Sequence, residues 1–118
     1  MDKLQYIFMC QQDLQERLLN IKLPNDRPDL ISHYSLGLVS EIGEVLQADK
    51  RWKNLTGGDN KTCNHEEVRE ELSDCLLYFI NLVMACNIGM DELFDSFMAA
   101  QNKVRKRNGF PEVRYPNE

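Results

Sequence analysis

The sequence predicts an all-α, four-helix domain, on three observations. Apolar residues recur at helical spacing in four separate stretches. Short segments rich in Pro, Gly and Asn divide those stretches. No run alternates apolar and polar residues as a half-buried strand does. At 118 residues the chain is expected to form a single domain over residues 1–118, large enough for its own core but not generous.

The first helix is expected from Leu4 to about Leu19. Leu4, Ile7, Phe8, Leu14, Leu18 and Leu19 form its apolar stripe, and a packing role accounts for it. Asn20 to Pro28 is a loop marked by two prolines, which push the residues before them out of helical geometry. The second helix is expected to start near Asp29, an N-cap or first-turn acid, and to run to about Lys53. Gly37 and Gly43 lie inside it. Glycine there costs up to about 1 kcal/mol against alanine, so close helix approach is a motive for at least one of them.

Asn54 to Asn64, with two adjacent glycines, reads as a loop. A connection this short favours antiparallel neighbours. The third helix is expected from His65, with Glu66 and Glu67 in its first turn where acids suit the helix dipole, to about Asn87. It is apolar on most sides from Cys75 to Cys86, so it is expected to be the most buried helix. The fourth helix is expected from Met90 to Arg107, packing through Leu93, Phe94, Phe97, Met98, Ala100 and Val104. An irregular tail runs on from Asn108.

Hydrophobic residues make up 42% of the chain and charged residues 28%, ordinary for a soluble globular protein. A net charge of −5 argues against a broad nucleic-acid binder, which shows a basic excess. No segment approaches the ~20 apolar residues of a membrane span. Met1-Asp2-Lys3 is followed by no long apolar run, so no signal peptide is read and the cytoplasm is the expected compartment. Cys10, Cys63, Cys75 and Cys86 show no paired framework, and Cys75 and Cys86 are expected as buried thiols. Cys63-Asn64-His65 lacks the four spaced ligands of a structural zinc site.

The chemistry concentrates in two carboxylate pairs, Glu41 with Glu44 and Glu71 with Asp74. Residues three apart share a helix face. With ~100° per residue, Leu30, Tyr34, Gly37, Leu38, Val45, Ala48 and Trp52 fall on the side of Glu41. Val68, Cys75, Tyr78 and Leu82 fall on the side of Glu71, with Asn81 near it. Both pairs are thus expected to face inward. Unpaired buried carboxylates are costly to hold ionised, and no Lys or Arg pattern on these faces offsets them. A hard cation such as Mg²⁺, bound through oxygen, does. The blander alternative is two ordinary solvated faces. A di-iron bundle would need Glu-x-x-His on two helices, and neither His33 nor His65 follows a glutamate by three.

Lys103 and Arg107 share a face of the fourth helix, beside Arg105 and Lys106. They suit phosphate capture, or equally a favourable charge at a helix C-terminus. Trp52 suits stacking on a base or closing the end of the core. Tyr78 suits a ligand contact or donation to a neighbouring carboxylate. Surface or capping roles fit His33 and His65 best.

The segments Leu38-Val39-Ser40-Glu41-Ile42-Gly43-Glu44-Val45 and Glu70-Glu71-Leu72-Ser73-Asp74-Cys75-Leu76-Leu77-Tyr78 resemble the all-α nucleoside triphosphate pyrophosphatases, the MazG-like proteins, dCTP pyrophosphatases and dimeric dUTPases. Asn102 to Phe110 is similar to that superfamily's basic C-terminal segment, so the resemblance covers roughly residues 30 to 110. It implies a four-helix MazG-like bundle completed as a homodimer or homotetramer. It also implies hydrolysis of a nucleoside triphosphate to the monophosphate and pyrophosphate, a house-cleaning activity on nucleotide pools. Glu41, Glu44, Glu71 and Asp74 would be the catalytic metal ligands for Mg²⁺, or Mn²⁺ in its place. Lys103, Arg107, Trp52 and Tyr78 would bind substrate. Some members carry an acid just before the first motif glutamate. Here it is Ser40, which leaves Glu41 and the metal itself as candidates for activating water. A non-catalytic helical module that binds nucleotide or metal is the alternative.

Overall fold

A computed structural model describes residues 1–52 and 62–116. Four helices follow one another: α1 (Lys3–Leu19), α2 (Pro28–Ala48), α3 (His65–Ala85) and α4 (Met90–Arg107). Among the described residues there is no strand, only two isolated bridges, Asp26 with Cys86 and Asp49 with Cys63. No described helix is long and apolar enough to cross a membrane.

Local chemistry accounts for the helix ends. Asp2 caps α1 in a capping box with Gln5, each side chain taking the other's backbone N–H at 2.8 and 3.0 Å. Pro28 opens α2 at its first position, where its missing N–H costs nothing. Asn64 caps α3 by accepting from the Glu67 N–H at 3.1 Å. α2 ends at Ala48, earlier than the expected Lys53, because Asp49 is extended and bridges Cys63. A short 3₁₀ turn at Arg51–Trp52 follows it. Most of the loop expected at 54–64, and position 53, lie outside the described residues.

The centre of the fold is the antiparallel hairpin of α2 and α3, stitched at both ends. At one end the Asn25 and Arg27 N–H groups donate to the Met84 and Ala85 carbonyls at 3.0 and 2.9 Å. At the other the Asn64 N–H donates to Ala48 at 3.1 Å, and the Lys50 N–H to Thr62 at 2.8 Å. Midway, Gly37 lies against the Tyr78 ring. A Cβ there would sit 2.9 Å from Tyr78 Cζ and closer still to the ring edge, so this glycine is the one that close helix approach requires. Gly43 has nothing near it.

The core gathers Phe8, Leu23, Tyr34, Ile80, Val83, Met84 and Ala85. Helix α3 is the most buried, as expected, but only in its second half. Three polar side chains are also buried: Gln11, Gln15 and Asn81. They satisfy one another and Tyr34: Gln11 Nε2 donates to Asn81 Oδ1 at 3.0 Å, and the Tyr34 hydroxyl donates to Gln15 Oε1. Thus α1 packs through its Phe8, Gln11 and Gln15 face, while Leu18 and Leu19 stay exposed.

Two expectations do not hold in full. Cys86 is exposed and Cys75 only half-buried, since α3 meets α2 at Cys75 but ends into solvent at Cys86. The packing expected of α4 is met only in its first turns: no residue of it is fully buried, but Met90 and Leu93 pack against the core and Phe94 against Tyr115. The helix meets α1 near Asp2 to Gln5 through its first turns and then diverges, leaving Phe97, Ala100 and Val104 open. The outline reflects this, with extents of 46 × 45 × 26 Å. Its radius of gyration is 17.5 Å, whereas a compact domain of this length has about 13.5 Å.

Candidate functional site: a carboxylate cluster on the α2–α3 hairpin

The register that pairs Gly37 with Tyr78 also sets Glu41 opposite Glu71 and Asp74. One carboxylate oxygen from each of these three lies within 4.8 Å of the others. Glu41 and Glu71 are half-buried, and Glu44 is exposed. The convergence expected of all four acids therefore holds for Glu41, Glu71 and Asp74, while the exposed Glu44 stands outside it. A helix turns about 60° between residues three apart, which carries Glu44 from the hairpin seam towards its rim.

Glu44 is still part of the electrostatic unit. The Glu71 carboxyl is held above its ordinary value by burial, by the charges of Glu41, Asp74 and Glu44, and by a hydrogen bond with Glu41. The Cys75 thiol, one turn along the same face, is pushed up by burial and by Glu41, Asp74 and Glu71. Among the described residues no Lys or Arg forms an ion pair with any of the four acids; the ion pairs there are Arg17–Asp13, Arg27–Asp29 and Arg51–Asp49. This donor set is all oxygen, multiply negative and convergent. It fits a hard divalent cation, and it does not suit a soft metal that selects thiolate.

Beside the cluster a cleft of about 200 Å³ opens between α1, α2 and α3, walled by Gln15, His33, Tyr34, Leu77, Tyr78 and Asn81. Tyr78 joins the hairpin seam to the cleft, since its ring rests on Gly37 and its side chain lines the cleft. His33 is exposed and stacks edge-on against Tyr34 at 5.3 Å. The sequence places Asn81 near the face of Glu71 without assigning it to the site, and it does not single out Gln15, since amides are usually exposed. The signal was present: Gln11 and Gln15 continue the helical face of Phe8, and Asn81 lies near the face of Glu71.

The other expected site residues are not gathered here. Trp52 follows α2 in the 3₁₀ turn, is 43% exposed, and donates from Nε1 to the Leu46 carbonyl at 3.0 Å. The interior position expected for it is therefore not adopted, because α2 has already ended. Lys103 and Arg107 are exposed on the diverging half of α4. That half is held by its own tail, with Asn102 and Val113 exchanging two hydrogen bonds at 3.0 and 2.9 Å. His65 stands exposed at the start of α3, and Cys63 lies in the backbone bridge with Asp49.

Among known protein families, the model described as dUTPase (dUTPase_2) matches residues 3–112, nearly the whole chain. No curated protein and no solved structure matches it. The matched span takes in all four helices and both carboxylate pairs, and the chain therefore belongs to the dUTPase_2 family, dimeric dUTPase-like nucleotide hydrolases of the all-α MazG-like superfamily.

Proposed function

We propose that this protein is a Mg²⁺-dependent nucleoside triphosphate pyrophosphohydrolase, converting a (d)NTP and water to the (d)NMP and pyrophosphate, with dUTP as the first substrate to test. The observation that carries the reading is the convergence of Glu41, Glu71 and Asp74 oxygens within 4.8 Å, with no described cation paired to them. The family supports the nucleotide as substrate.

In this reading Glu41, Glu71 and Asp74 hold Mg²⁺, with Glu44 at the rim. When bound, the ion supplies charge neutralisation for the triphosphate and polarisation of the water. The chain's own residues do the rest. The Glu71 carboxyl, held above its ordinary value by burial and by the neighbouring acids, would have its charged form favoured by a bound cation. Ser40 cannot act as a base, so Glu41 is the residue of this chain best placed to take the proton of the attacking water. Lys103 and Arg107, one turn apart, supply charge and forked donors for phosphate oxygens.

The cleft beside Tyr78 takes the base. Its amides at Gln15 and Asn81, whose oxygens already accept from Tyr34 and Gln11, offer their NH₂ groups as donors to the carbonyl oxygens of a pyrimidine such as uracil. The test is direct: incubate the protein with Mg²⁺ and each NTP and dNTP, and assay pyrophosphate. Release from dUTP or another member of the panel is expected. Silence across the panel would reject the enzyme and leave a non-catalytic binding module.

A further inference from the structure

The tail of the chain builds a second hollow. Helix α4 stops where Gly109, at φ 73°, takes a left-handed turn that glycine adopts without strain. The Phe110 N–H then donates back to the Arg105 carbonyl at 2.8 Å. From there the chain runs back along α4, held by Arg105 Nη1 on the Pro111 carbonyl at 3.4 Å and by the exchange between Asn102 and Val113. The reversal returns Tyr115 to Phe94, with ring centroids 5.1 Å apart and ring planes at 79°.

Between these rings and the first turn of α1 lies a groove of about 590 Å³. That is within the range of small-molecule sites, roughly 300–1,000 Å³. Leu4, Met90, Phe94 and Tyr115 give it an apolar lining, and Asp2, Asp91 and Asp95 line it with charge of one sign. Among the described residues none of these three acids forms an ion pair. Helix chemistry accounts for two of them: Asp2 caps α1 through Oδ1, and Asp91 sits in the first turn of α4, where an acid suits the dipole. Asp95, one turn further on, has neither role. The walls share no residue with the carboxylate cluster or with the cleft beside Tyr78.

We propose that this groove is a binding site for a linear aliphatic polyamine. Asp91 and Asp95 stand one helical turn apart, about 6 Å along the axis, a separation like the one a butylene spacer holds between two ammonium groups. Asp2 on the opposite wall offers a carboxylate to a third. The methylenes between the charges lie on Leu4 and Met90, as the stem of a lysine lies on apolar surface while its head stays solvated. The near-perpendicular rings of Phe94 and Tyr115 form a corner that suits an ammonium group, which is drawn to the face of an aromatic ring. A bare divalent ion gains nothing from the apolar lining and keeps its own waters. The two negative sites therefore differ in kind: the hairpin acids converge on a point and fit a compact ion, whereas these acids are spread along a groove and fit an extended one.

The site is independent of the proposed reaction, and its test uses no nucleotide. Calorimetric titration with spermidine, at low ionic strength and with Mg²⁺ in excess to occupy the hairpin acids, should show one site per chain. Binding should weaken as salt rises. Asp95→Asn should lower the affinity about threefold and the double variant Asp91→Asn/Asp95→Asn about tenfold, the sizes expected for one and two exposed ion pairs. Tyr115→Ala should lower it about threefold, and Tyr115→Phe, which keeps the ring, should bind as wild type. Glu71→Gln should also bind as wild type. Butylamine, with a single charge, should bind about tenfold more weakly than spermidine. All the substituted positions in the groove are exposed, so the far-UV helical signal should be kept. Absence of binding up to millimolar spermidine, unchanged affinity in the double variant, or equal loss in Glu71→Gln would overturn the proposal. So would a peptide of lysine and leucine that binds at least tenfold more tightly than spermidine, which would make the groove a protein-docking site.

Discussion

The Tyr78 ring lies directly on Gly37, and this contact sets how closely the two acid-bearing helices approach. Alanine at position 37 would gain up to about 1 kcal/mol of helix propensity. It would also drive a methyl into the ring, an overpacking that costs about 1–3 kcal/mol. The collision wins, and Gly37→Ala is expected to destabilise the protein by about 1 kcal/mol in urea unfolding. Gly43→Ala, in open space on the same helix, is expected to stabilise it by up to about 1 kcal/mol.

Glu71 makes the stability of the ion-free protein depend on pH. Its folded-state carboxyl binds a proton more tightly than the unfolded chain does. The resulting penalty is absent below the ordinary carboxylate range, appears as pH rises through it, and is complete above the raised value. Glu71→Gln should therefore raise the melting temperature at pH 7.5 in chelator and leave it unchanged at pH 3. In Mg²⁺ the wild-type protein should gain several degrees and the variant little. Thermal scans in both buffers decide it.

The convergence of Glu41 with Asp74 predicts a loss of function without a loss of fold. Glu41→Gln and Asp74→Asn should each lower pyrophosphate release at least 100-fold, about 2.7 kcal/mol of barrier. The far-UV spectrum should be unchanged, since neither side chain belongs to the buried core. Activity within threefold of wild type in either variant would remove that residue from the site.

For the two exposed cations of α4 the expectation is different. Lys103→Ala and Arg107→Ala should reduce kcat/KM for the triphosphate by about tenfold each, the size of a lost charge-assisted hydrogen bond. The Mg²⁺-dependent thermal shift should stay as in wild type. Arg107→Lys should recover only part of the loss, because lysine cannot present the paired donors of a guanidinium. An unchanged kcat/KM in both alanine variants would restrict these residues to the helix C-terminus.

Acid should loosen the closure between α2 and α3. The Arg51 guanidinium and the Arg51 backbone N–H hold the Asp49 carboxyl well below the usual carboxylate range. That stabilisation is present above about pH 4 and is lost as pH falls towards the depressed value. Hydrogen exchange at the Asn64 amide, which donates to Ala48, should quicken below pH 3 in wild type and already at neutral pH in Asp49→Asn.

The sequence by itself determined the four helices and the sharing of a face by each carboxylate pair. Both follow from the ~100° step of the helix and from local caps such as Pro28 and Asn64, which need no distant contact. Only the tertiary structure decided what covers each face. It buried Gln11, Gln15 and Asn81 by giving their amides partners, brought Glu41 to Glu71 and Asp74 through a register locked at both ends, and turned α4 and Trp52 away from them. Helical period states which side chains travel together; whether they meet protein or water depends on the neighbour, which Leu93 and Phe94 of α4 find in the core and in Tyr115, while Phe97 and Val104 on the same helix stay open to solvent.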